Sequence, residues 1–344
     1  MDWFNSLITG VWLQFLDVLN YPFDPSQRIY IPFLASSFVI AAVLYMRSPA
    51  FTKDVRPGRR GLLGLFSFIF PRKVWSHPSA WVDVRYFIPH QLVRLLIYVN
   101  FSILVISLSS NSIVVGLQEL AGVSSLSVVS PSNIPLGICY AVVAIIVIDF
   151  NAFYIHYLQH KIPVLWEFHK VHHSASVLHP LSNYREHPVD NFSYALMNGL
   201  VIGLMAGIVQ FFFAVKATDI YIAAIGLSIL RFGFNAVGYN LRHSHIWLRW
   251  PGFLGYVVGC PAHHQIHHSC KPEHIDRNFA FILPVWDLMF GTFYLPKEEE
   301  ELLIGLGDGT EGDYKSFISI YMLPFKNLYR SRMTQANGER KVPD

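Results

Sequence analysis

Charged residues are scarce in this chain. Of its 344 residues, 14% are charged and 53% are hydrophobic, and its mean hydropathy is +0.37. A soluble globular domain carries about 25% charged residues. The composition therefore excludes an ordinary soluble protein and favours a membrane protein. The net charge of +3 is too small to indicate a nucleic-acid partner, and we expect none.

Cysteine is also rare, and several common motifs are missing. The three cysteines, Cys139, Cys260 and Cys270, form no C-x-x-C pair and no disulfide framework. The zincin pattern H-E-x-x-H is absent, because Tyr157 stands at its glutamate position. No linker rich in Ser, Gly or Pro divides the chain. The first residues lack a basic segment and a cleavage site, so we expect no cleaved signal peptide.

Histidine, by contrast, is abundant and concentrated. Fourteen of the sixteen histidines lie between His156 and His274, a window of about a third of the chain. Most belong to three clusters with the sequences H-Y-L-Q-H, H-K-V-H-H and H-H-Q-I-H-H. Spacings of three and four residues place imidazoles on one helical face, and imidazole is the commonest metal ligand among side chains. The clusters therefore predict a metal site.

The clusters supply eight candidate ligands, too many for one tetrahedral zinc ion and suited to two metals with open positions. These are His156, His160, His169, His172, His173, His264, His267 and His268. His263 is the expected bystander, because the other three of its cluster reproduce the spacing of the second cluster. The pattern leaves the roles of His179 and His274 open. Nearby carboxylates that could accept N–H bonds from ligands are Asp149, Glu167, Asp190 and Asp276.

Several apolar runs approach the roughly 20 residues that a membrane-spanning helix needs. They cover approximately residues 30–46, 92–108, 136–155, 191–214 and 217–234. The run from Gly61 to Phe70 is too short to cross and is expected at the membrane interface. Apolar residues recur at helical spacing from Trp3 to Leu19, which predicts an amphipathic helix on the membrane surface. We expect an all-α integral membrane helical bundle with a histidine-rich cap holding a di-metal site.

The distribution of basic residues predicts which side of the membrane carries that cap. The segment 47–94 holds nine Lys and Arg residues, whereas the connection 109–135 holds none. By the positive-inside rule the first segment is cytoplasmic. Threading five spans through that constraint puts all three histidine clusters on the cytoplasmic side. The nine residues are Arg47, Lys53, Arg56, Arg59, Arg60, Arg72, Lys73, Arg85 and Arg94.

The order H-x-x-x-H, H-x-x-H-H, H-x-x-H-H in a multi-span chain resembles the fatty acid hydroxylase/sterol desaturase superfamily of membrane-bound di-iron oxygenases. The resemblance covers approximately residues 136–295. R-E-H-P-V-D resembles the family's R-x-H-P-x-E/D element and adds His187, and L-R-H-S-H-I resembles its H-x-N-I element and adds His243. His245 stands at the asparagine position of that element, a departure that leaves its role open. The stretch N-F-A-F-I-L-P-V-W-D-L-M-F-G-T resembles the closing signature.

The resemblance implies ten metal ligands around two non-haem iron ions, with dioxygen as co-substrate and no catalytic residue beyond the ligands. It implies hydroxylation or desaturation of a lipid (sterol, fatty acyl or related), and H-P-V-D leans toward sterol-type substrates. The electron donor is expected to be a carrier such as cytochrome b5 or ferredoxin with its reductase. We expect membrane helices over residues 1–135, the catalytic domain over 136–295 and a cytoplasmic tail over 296–344.

Alternatives stay open at this point. A metal transporter and a zinc-dependent membrane hydrolase are the two rival functions. The basic segment 47–94 fits anionic headgroup contact, and it also fits docking of an acidic electron carrier. The bacterial inner membrane and the endoplasmic reticulum both suit the predicted integral, multi-pass protein.

Overall fold

The computed structural model of the protein describes residues 2–47, 61–127, 130, 133–215 and 221–339. Four of the nine basic residues, Lys53, Arg56, Arg59 and Arg60, lie outside these ranges. Within them every regular element is helical, apart from an isolated β-bridge between Ser269 and Ile304. The all-α prediction is confirmed.

The first part of the chain forms six α-helices. They are α1 (Asp2–Leu19), α2 (Ile31–Arg47), α3 (Leu62–Ile69), α4 (Arg72–Trp75), α5 (Pro78–Val93) and α6 (Asn100–Ala121). A π-helical stretch, Arg94–Val99, joins α5 to α6 without a break.

Eight further α-helices follow. They are α7 (Ile134–Lys161), α8 (Pro163–His173), α9 (Pro188–Phe213), α10 (Tyr221–Ala236), α11 (Leu254–Val257), α12 (Pro261–His267), α13 (Val285–Phe290) and α14 (Phe317–Glu339). Short 3-10 helices are present at Tyr21–Phe23, Pro180–Tyr184, Tyr239–His243 and Glu311–Asp313.

Three of these helical stretches are long and apolar enough to cross a membrane. They are Pro78–Ala121, Ile134–Lys161 and Pro188–Phe213. The predicted runs 92–108, 136–155 and 191–214 fall on them. The first and last predicted runs fall on shorter apolar helices, α2 with 17 residues and α10 with 16. The five-span topology and the cytoplasmic side of the cap stay predictions.

The long helices expose apolar stripes whose contact with water would be unfavourable. On α7 the exposed residues Ile134, Ile138 and Val142 recur every fourth position, with 59%, 54% and 50% of their surface accessible. On α9, Leu200 and Leu204 are exposed with the same spacing. Residues four apart share a helical face, so each helix turns a continuous hydrocarbon surface outward. Lipid is the solvent that suits such a surface, and the fold is that of a membrane protein.

The opposite face of α9 packs closely on α6 through three glycines. An added Cβ at Gly199 would lie 2.8 Å from the Val105 side chain, and one at Gly207 would lie 2.7 Å from the Ser110 carbonyl oxygen. At Gly203 it would collide with the Ser109 side chain. Small residues every fourth position let two backbones approach within a membrane. This G-x-x-x-G-x-x-x-G pattern sets the distance between α6 and α9.

The N-terminal helices lie on the surface of the bundle. In α1, Val18 is buried, whereas Trp12 and Leu13 are 57% and 56% exposed. In α3, Ile69 is buried and Leu62 is 75% exposed. Helices with one buried and one exposed apolar face suit a membrane interface. The interfacial position of both segments stays a prediction.

Replacing Gly203 by leucine should destabilise the protein by roughly 1–3 kcal/mol, because overpacking forces two tightly packed helices apart. The readout is the thermal unfolding midpoint of the detergent-solubilised protein. Gly116→Leu on α6 is the matched control, since a Cβ at Gly116 meets nothing within 4 Å. Equal midpoints for the two variants would contradict the close packing of α6 and α9.

Candidate metal centre

A sharp turn between α7 and α8 brings the first two histidine clusters together. Ile162 is extended, with φ −101° and ψ 113°, and Pro163 begins α8. A residue before proline favours this extended conformation, and proline suits the first helical position. As a result α8 folds back on the end of α7. The ring centroids of His160 and His173 lie 4.8 Å apart, and those of His156 and His169 lie 4.9 Å apart.

The third cluster joins them from α12. This helix begins at Pro261, carries His264 and His267, and is followed directly by His268. The ring centroid of His267 lies 4.4 Å from that of His156, and the ring centroid of His268 lies 4.6 Å from that of His173. The structure thus gathers all three predicted clusters at one place.

The imidazoles separate into two adjacent groups. Within each group one ring nitrogen per residue lies within 4.8 Å of all the others. Eight of the nine residues are buried, and His160 is intermediate. The five-histidine group contains His156, His160, His169, His173 and His267. The four-histidine group contains His172, His243, His264 and His268.

Backbone carbonyls fix the orientation of three rings. Nδ1 of His156 lies 2.9 Å from the carbonyl oxygen of Phe279, and Nδ1 of His267 lies 2.9 Å from that of Arg277. Nδ1 of His172 lies 3.2 Å from the carbonyl oxygen of residue 185. A carbonyl oxygen only accepts, so Nδ1 carries the proton and Nε2 keeps a free lone pair. That tautomer presents Nε2 to a metal.

Side chains fix two further rings in the same way. Nδ1 of His169 lies 3.0 Å from Oδ2 of Asp190, whose Oδ1 accepts from Gln159 at 3.0 Å. Nδ1 of His243 lies 2.9 Å from the Ser182 hydroxyl. That hydroxyl donates to a backbone carbonyl of the same turn at 2.8 Å, so it accepts from His243. Both rings again leave Nε2 free.

Two of the four carboxylates proposed from the sequence contact candidate ligands. They are Asp190 and Asp276, and Oδ1 of Asp276 lies 3.4 Å from Nδ1 of His160. Asp149 instead accepts from Trp286 and two backbone N–H groups. Glu167 forms an ion pair with Lys170 on α8.

The free nitrogens indicate that the centre suits cations. Nε2 of His160, His169, His173 and His267 is buried and has no hydrogen-bond partner among the described residues. In the four-histidine group, Nε2 of His264 lies 2.9 Å from Nε2 of His243 and 3.1 Å from Nε2 of His268. Lone pairs crowded this closely repel unless a proton or a metal lies between them. A donor set made only of imidazole suits iron, zinc, copper or nickel.

Burial keeps these imidazoles neutral. Loss of water around the ring lowers the pKa of His173, His264 and His268 well below the usual 6.5. The neighbouring imidazoles lower the pKa of each further, and Arg242 does so for His264. Because a metal binds only the neutral ring, protons do not compete for these nitrogens near neutral pH.

His187 lies outside both groups, unlike the other nine predicted ligands. Its Nδ1 accepts the Val189 N–H at 3.0 Å and so caps the first turn of α9. Its Nε2 lies 3.1 Å from the carbonyl oxygen of Tyr321. Both ring nitrogens are therefore engaged away from the metal centre.

The expected bystander His263 also lies outside both groups, as do His179, His245 and His274, whose roles the sequence leaves open. Nδ1 of His263 lies 3.1 Å from the backbone nitrogen at the start of α12, as expected for a bystander. Nε2 of His245 donates to the carbonyl oxygen of Phe68 at 2.7 Å. His179 contacts Asp83 at 2.8 Å, and His274 contacts a glutamate at 3.1 Å.

A buried ion pair between Arg185 and Asp83 supports the loop behind the four-histidine group. The sequence alone gave this pair no role. Arg185, 1% exposed, donates from Nε to Asp83 of α5 at 2.5 Å. The guanidinium also donates to the carbonyl oxygens of Ser174 and Ser79. The carbonyl of Arg185 accepts from His172. Asp83 lies in the middle of the largely apolar α5, and a carboxylate in such a position is the sequence feature that could have indicated a buried partner.

Cavities reach the rings from two sides. One, of about 310 Å³, is bounded by rings of both groups, including His156, His172 and His264. The other, of about 300 Å³, is lined by His160, His267 and further rings of the cluster. The histidine cluster is therefore bordered by two cavities.

Comparison with known proteins agrees with this arrangement. Residues 141–292 match the family described as fatty acid hydroxylase. The chain is 28% identical to the alkylglycerol monooxygenase of Danio rerio over 159 residues, and 26% identical to the ornithine lipid hydroxylase of Rhizobium tropici over 192 residues. It is 30% identical to human cholesterol 25-hydroxylase over 152 residues. No solved structure matches the chain.

The similarity is partial on both sides. It covers 46%, 56% and 43% of this chain, respectively. It covers 31% of the fish monooxygenase, 52% of the bacterial hydroxylase and 48% of the human hydroxylase. The residues that match the family, 141–292, include all nine grouped histidines.

Replacing Asp190 by asparagine should weaken metal binding by roughly 10–100-fold, because an amide replaces the carboxyl group that fixes the ring of His169. The measurement is metal retained per chain during titration with a chelator. Glu167→Gln is the control, since Glu167 lies on the same helix as His169 and pairs with Lys170 of that helix. If both variants retain metal like the parent protein, Asp190 does not position the ligand.

Proposed function

We propose that this member of the fatty acid hydroxylase superfamily is a membrane-bound oxidoreductase that hydroxylates a lipid, using dioxygen and external electrons. The observation that carries the proposal is the convergence of nine imidazoles in two adjacent groups within a membrane protein. The matched family and the three relatives, all named for oxygenation of lipids, support it.

The proposed cofactor is a pair of iron ions, one in each histidine group. Of the ten predicted ligands we propose nine, because His187 caps α9 instead. Five ligands on one side and four on the other leave room for further ligands in the coordination shell of a metal that binds six. Neutral imidazoles also leave the full positive charge on the metals, which suits binding of small anions and dioxygen.

A bound di-iron pair supplies the reduction of dioxygen and the cleavage of an unactivated C–H bond. The residues of the chain hold the rings and keep the site dry. Asp190, Ser182 and the carbonyl groups of residues 185, 277 and 279 fix the ring tautomers. Phe279, itself buried, packs against His160 and His267. Exclusion of water protects a strong oxidant from side reactions.

Hydroxylation is the reaction we favour over desaturation. The relatives are named as a monooxygenase and two hydroxylases. In hydroxylation one atom of dioxygen enters the C–H bond and the other leaves as water, with electrons from a carrier. In desaturation both oxygen atoms leave as water and the lipid gains a double bond. The fate of the oxygen atoms therefore distinguishes the two reactions.

The membrane supplies the substrate, and a soluble or membrane-bound carrier supplies electrons. We propose lateral entry of the lipid from the bilayer and a carrier such as cytochrome b5 or ferredoxin with its reductase. Arg72, Lys73 and Arg85 of the basic segment are exposed and offer charge complementarity to an acidic carrier. The site faces the cytoplasm in this proposal, in the bacterial inner membrane or the endoplasmic reticulum.

Neither rival function gains support from the site. A transporter places its ligands near the middle of broken spans. Here His156 and His160 occupy the last turns of α7, and the other ligands lie on short helices outside the long stretches. A zinc hydrolase needs a general base beside the metal. Here the carboxylates of Asp190 and Asp276 contact Nδ1 atoms, and Glu186 pairs with Arg28.

With isotopically labelled dioxygen and a reducing system, membranes carrying the protein should place one labelled oxygen atom in a lipid, detected by mass spectrometry. His243→Ala should abolish the label because it removes a ligand. His187→Ala should keep both metals and the label while losing about 1 kcal/mol of stability with the helix cap. A labelled product from His243→Ala, or an unlabelled hydroxylated lipid from the parent protein, would refute the assignment.

A further inference from the structure

The cavity beside the metal centre is polar and positively charged. It measures about 310 Å³, and rings of both histidine groups form one wall. Arg28, Arg94 and Arg242 line the same space, together with Glu186 and Asp190. A cavity that binds only hydrocarbon is not expected to contain three guanidinium groups, because burying a charge without a partner is unfavourable.

In the described part of the chain, two of the three guanidinium groups form no ion pair with a carboxylate at 4 Å or less. Arg28 pairs with Glu186 at 3.7 Å. The Arg94 guanidinium donates to the amide oxygen of Gln91 at 3.1 Å. Asp190 already binds His169 and Gln159. Three guanidinium groups share this lining with two carboxylates, which leaves an excess of one formal positive charge.

Arg242 is the strongest indication of a missing ligand. It is only 4% exposed, and its Nη2 donates to the carbonyl oxygen of Ala280 at 3.3 Å. Its Nε is buried and has no hydrogen-bond partner among the described residues. Buried donors without partners are rare and call for a ligand or a water molecule. A phosphate or carboxylate accepts two parallel N–H bonds from such a group.

A second, apolar cavity adjoins the first at this arginine. It measures about 540 Å³, and Tyr239 and Arg242 line both spaces. The rest of its lining is largely aliphatic and aromatic, with Ile145 from α7 and Ile229 and Phe234 from α10. Hydrocarbon fits between these two helices, and a polar group fits beyond Arg242. Together the cavities match an amphipathic molecule.

We propose that the substrate is a lipid with an anionic group, a phosphate or a carboxylate, and that the oxidised carbon lies within a few bonds of that group. This rests on the proposed function, because it concerns the same metal centre. The metals and the arginines border one small cavity, so the carbon facing the metals cannot lie far from the group that binds Arg94 and Arg242. The proposal departs from the sterol-type substrate toward which H-P-V-D leans.

The test compares three probes on the purified, metal-loaded protein in phosphatidylcholine nanodiscs, with native mass spectrometry as the binding readout. Lysophosphatidic acid, a fatty acid and a monoacylglycerol share one acyl chain and differ in the charged group. We expect the phosphate or the carboxylate probe to bind at least about tenfold more tightly than the neutral one, as expected for hydrogen bonds to a charged group. Equal binding of all three would overturn the proposal.

Arg94→Gln and Arg242→Gln should each remove most of that preference. Arg242→Lys retains the buried charge and should keep part of the preference for anionic probes. This variant provides a second test if Arg242→Gln fails to fold. Arg249→Gln is the control, because Arg249 is exposed and lines neither cavity. Metal content shows that each variant is folded. A preference unchanged in folded variants of both Arg94 and Arg242 would overturn the proposal.

Two further outcomes separate the possible failures. If inorganic phosphate displaces the anionic lipid at an equal concentration, the cavity is a site for free anions and the lipid assignment is wrong. If anionic lipids bind through the arginines but no oxygen is incorporated, the proposed function is wrong and this inference stands. If oxygen enters a neutral lipid with no charge preference, the inference is wrong and the function stands.

Discussion

The crowding of neutral imidazoles around two points is the constraint on which the rest of the structure depends. Nine rings, with centroids often less than 5 Å from their neighbours, direct lone pairs into a small buried volume. Without cations such an arrangement is unfavourable, since buried polar atoms lack partners. Hydrogen bonds to Nδ1 hold the rings in this orientation from outside. Metal binding is then coupled to folding of the cap.

The scaffold behind the rings comes from the whole chain. Asp83 of α5 holds Arg185, whose carbonyl orients His172. The carbonyl oxygen of Tyr321 in α14 holds His187, which caps α9, and α9 carries the Asp190 that contacts His169. Asp83 and Tyr321 lie outside the region that matches the family, residues 141–292. The proposed division into a membrane part, a catalytic domain and a tail therefore describes sequence similarity, whereas the contacts that support the centre cross its boundaries.

Helical spacing was enough to predict eight of the nine grouped histidines from the sequence, because rings three and four residues apart share a face. The ninth, His243, was predicted only from the family resemblance. Helical spacing could not predict which of these histidines belong to the five-histidine group and which to the four-histidine group. His172 and His173 are adjacent on α8, and successive residues on a helix point about 100° apart. The two rings therefore enter different groups, as do His267 and His268. Which ring joins which group depends on how α7, α8, α12 and the 3-10 helix Tyr239–His243 meet in the folded chain.

The supports of the rings were less predictable than the rings. Three of them are backbone carbonyls, and every residue has one, so no sequence pattern marks those of Phe279 or Arg277. His187 satisfies the family element and still caps a helix, because the Pro188 that follows starts α9 there. The charged cavity combines residues 28, 94 and 242, which are far apart in the chain and come together only in the folded bundle.

The most direct test of the central claim is the metal content and spectrum of the protein after anaerobic reconstitution with ferrous iron. We predict about two iron ions per chain, bound mainly by nitrogen, with the Mössbauer spectrum of a magnetically coupled pair after oxidation. A single ion per chain, or two ions that show no coupling, would contradict a shared centre built from the two histidine groups.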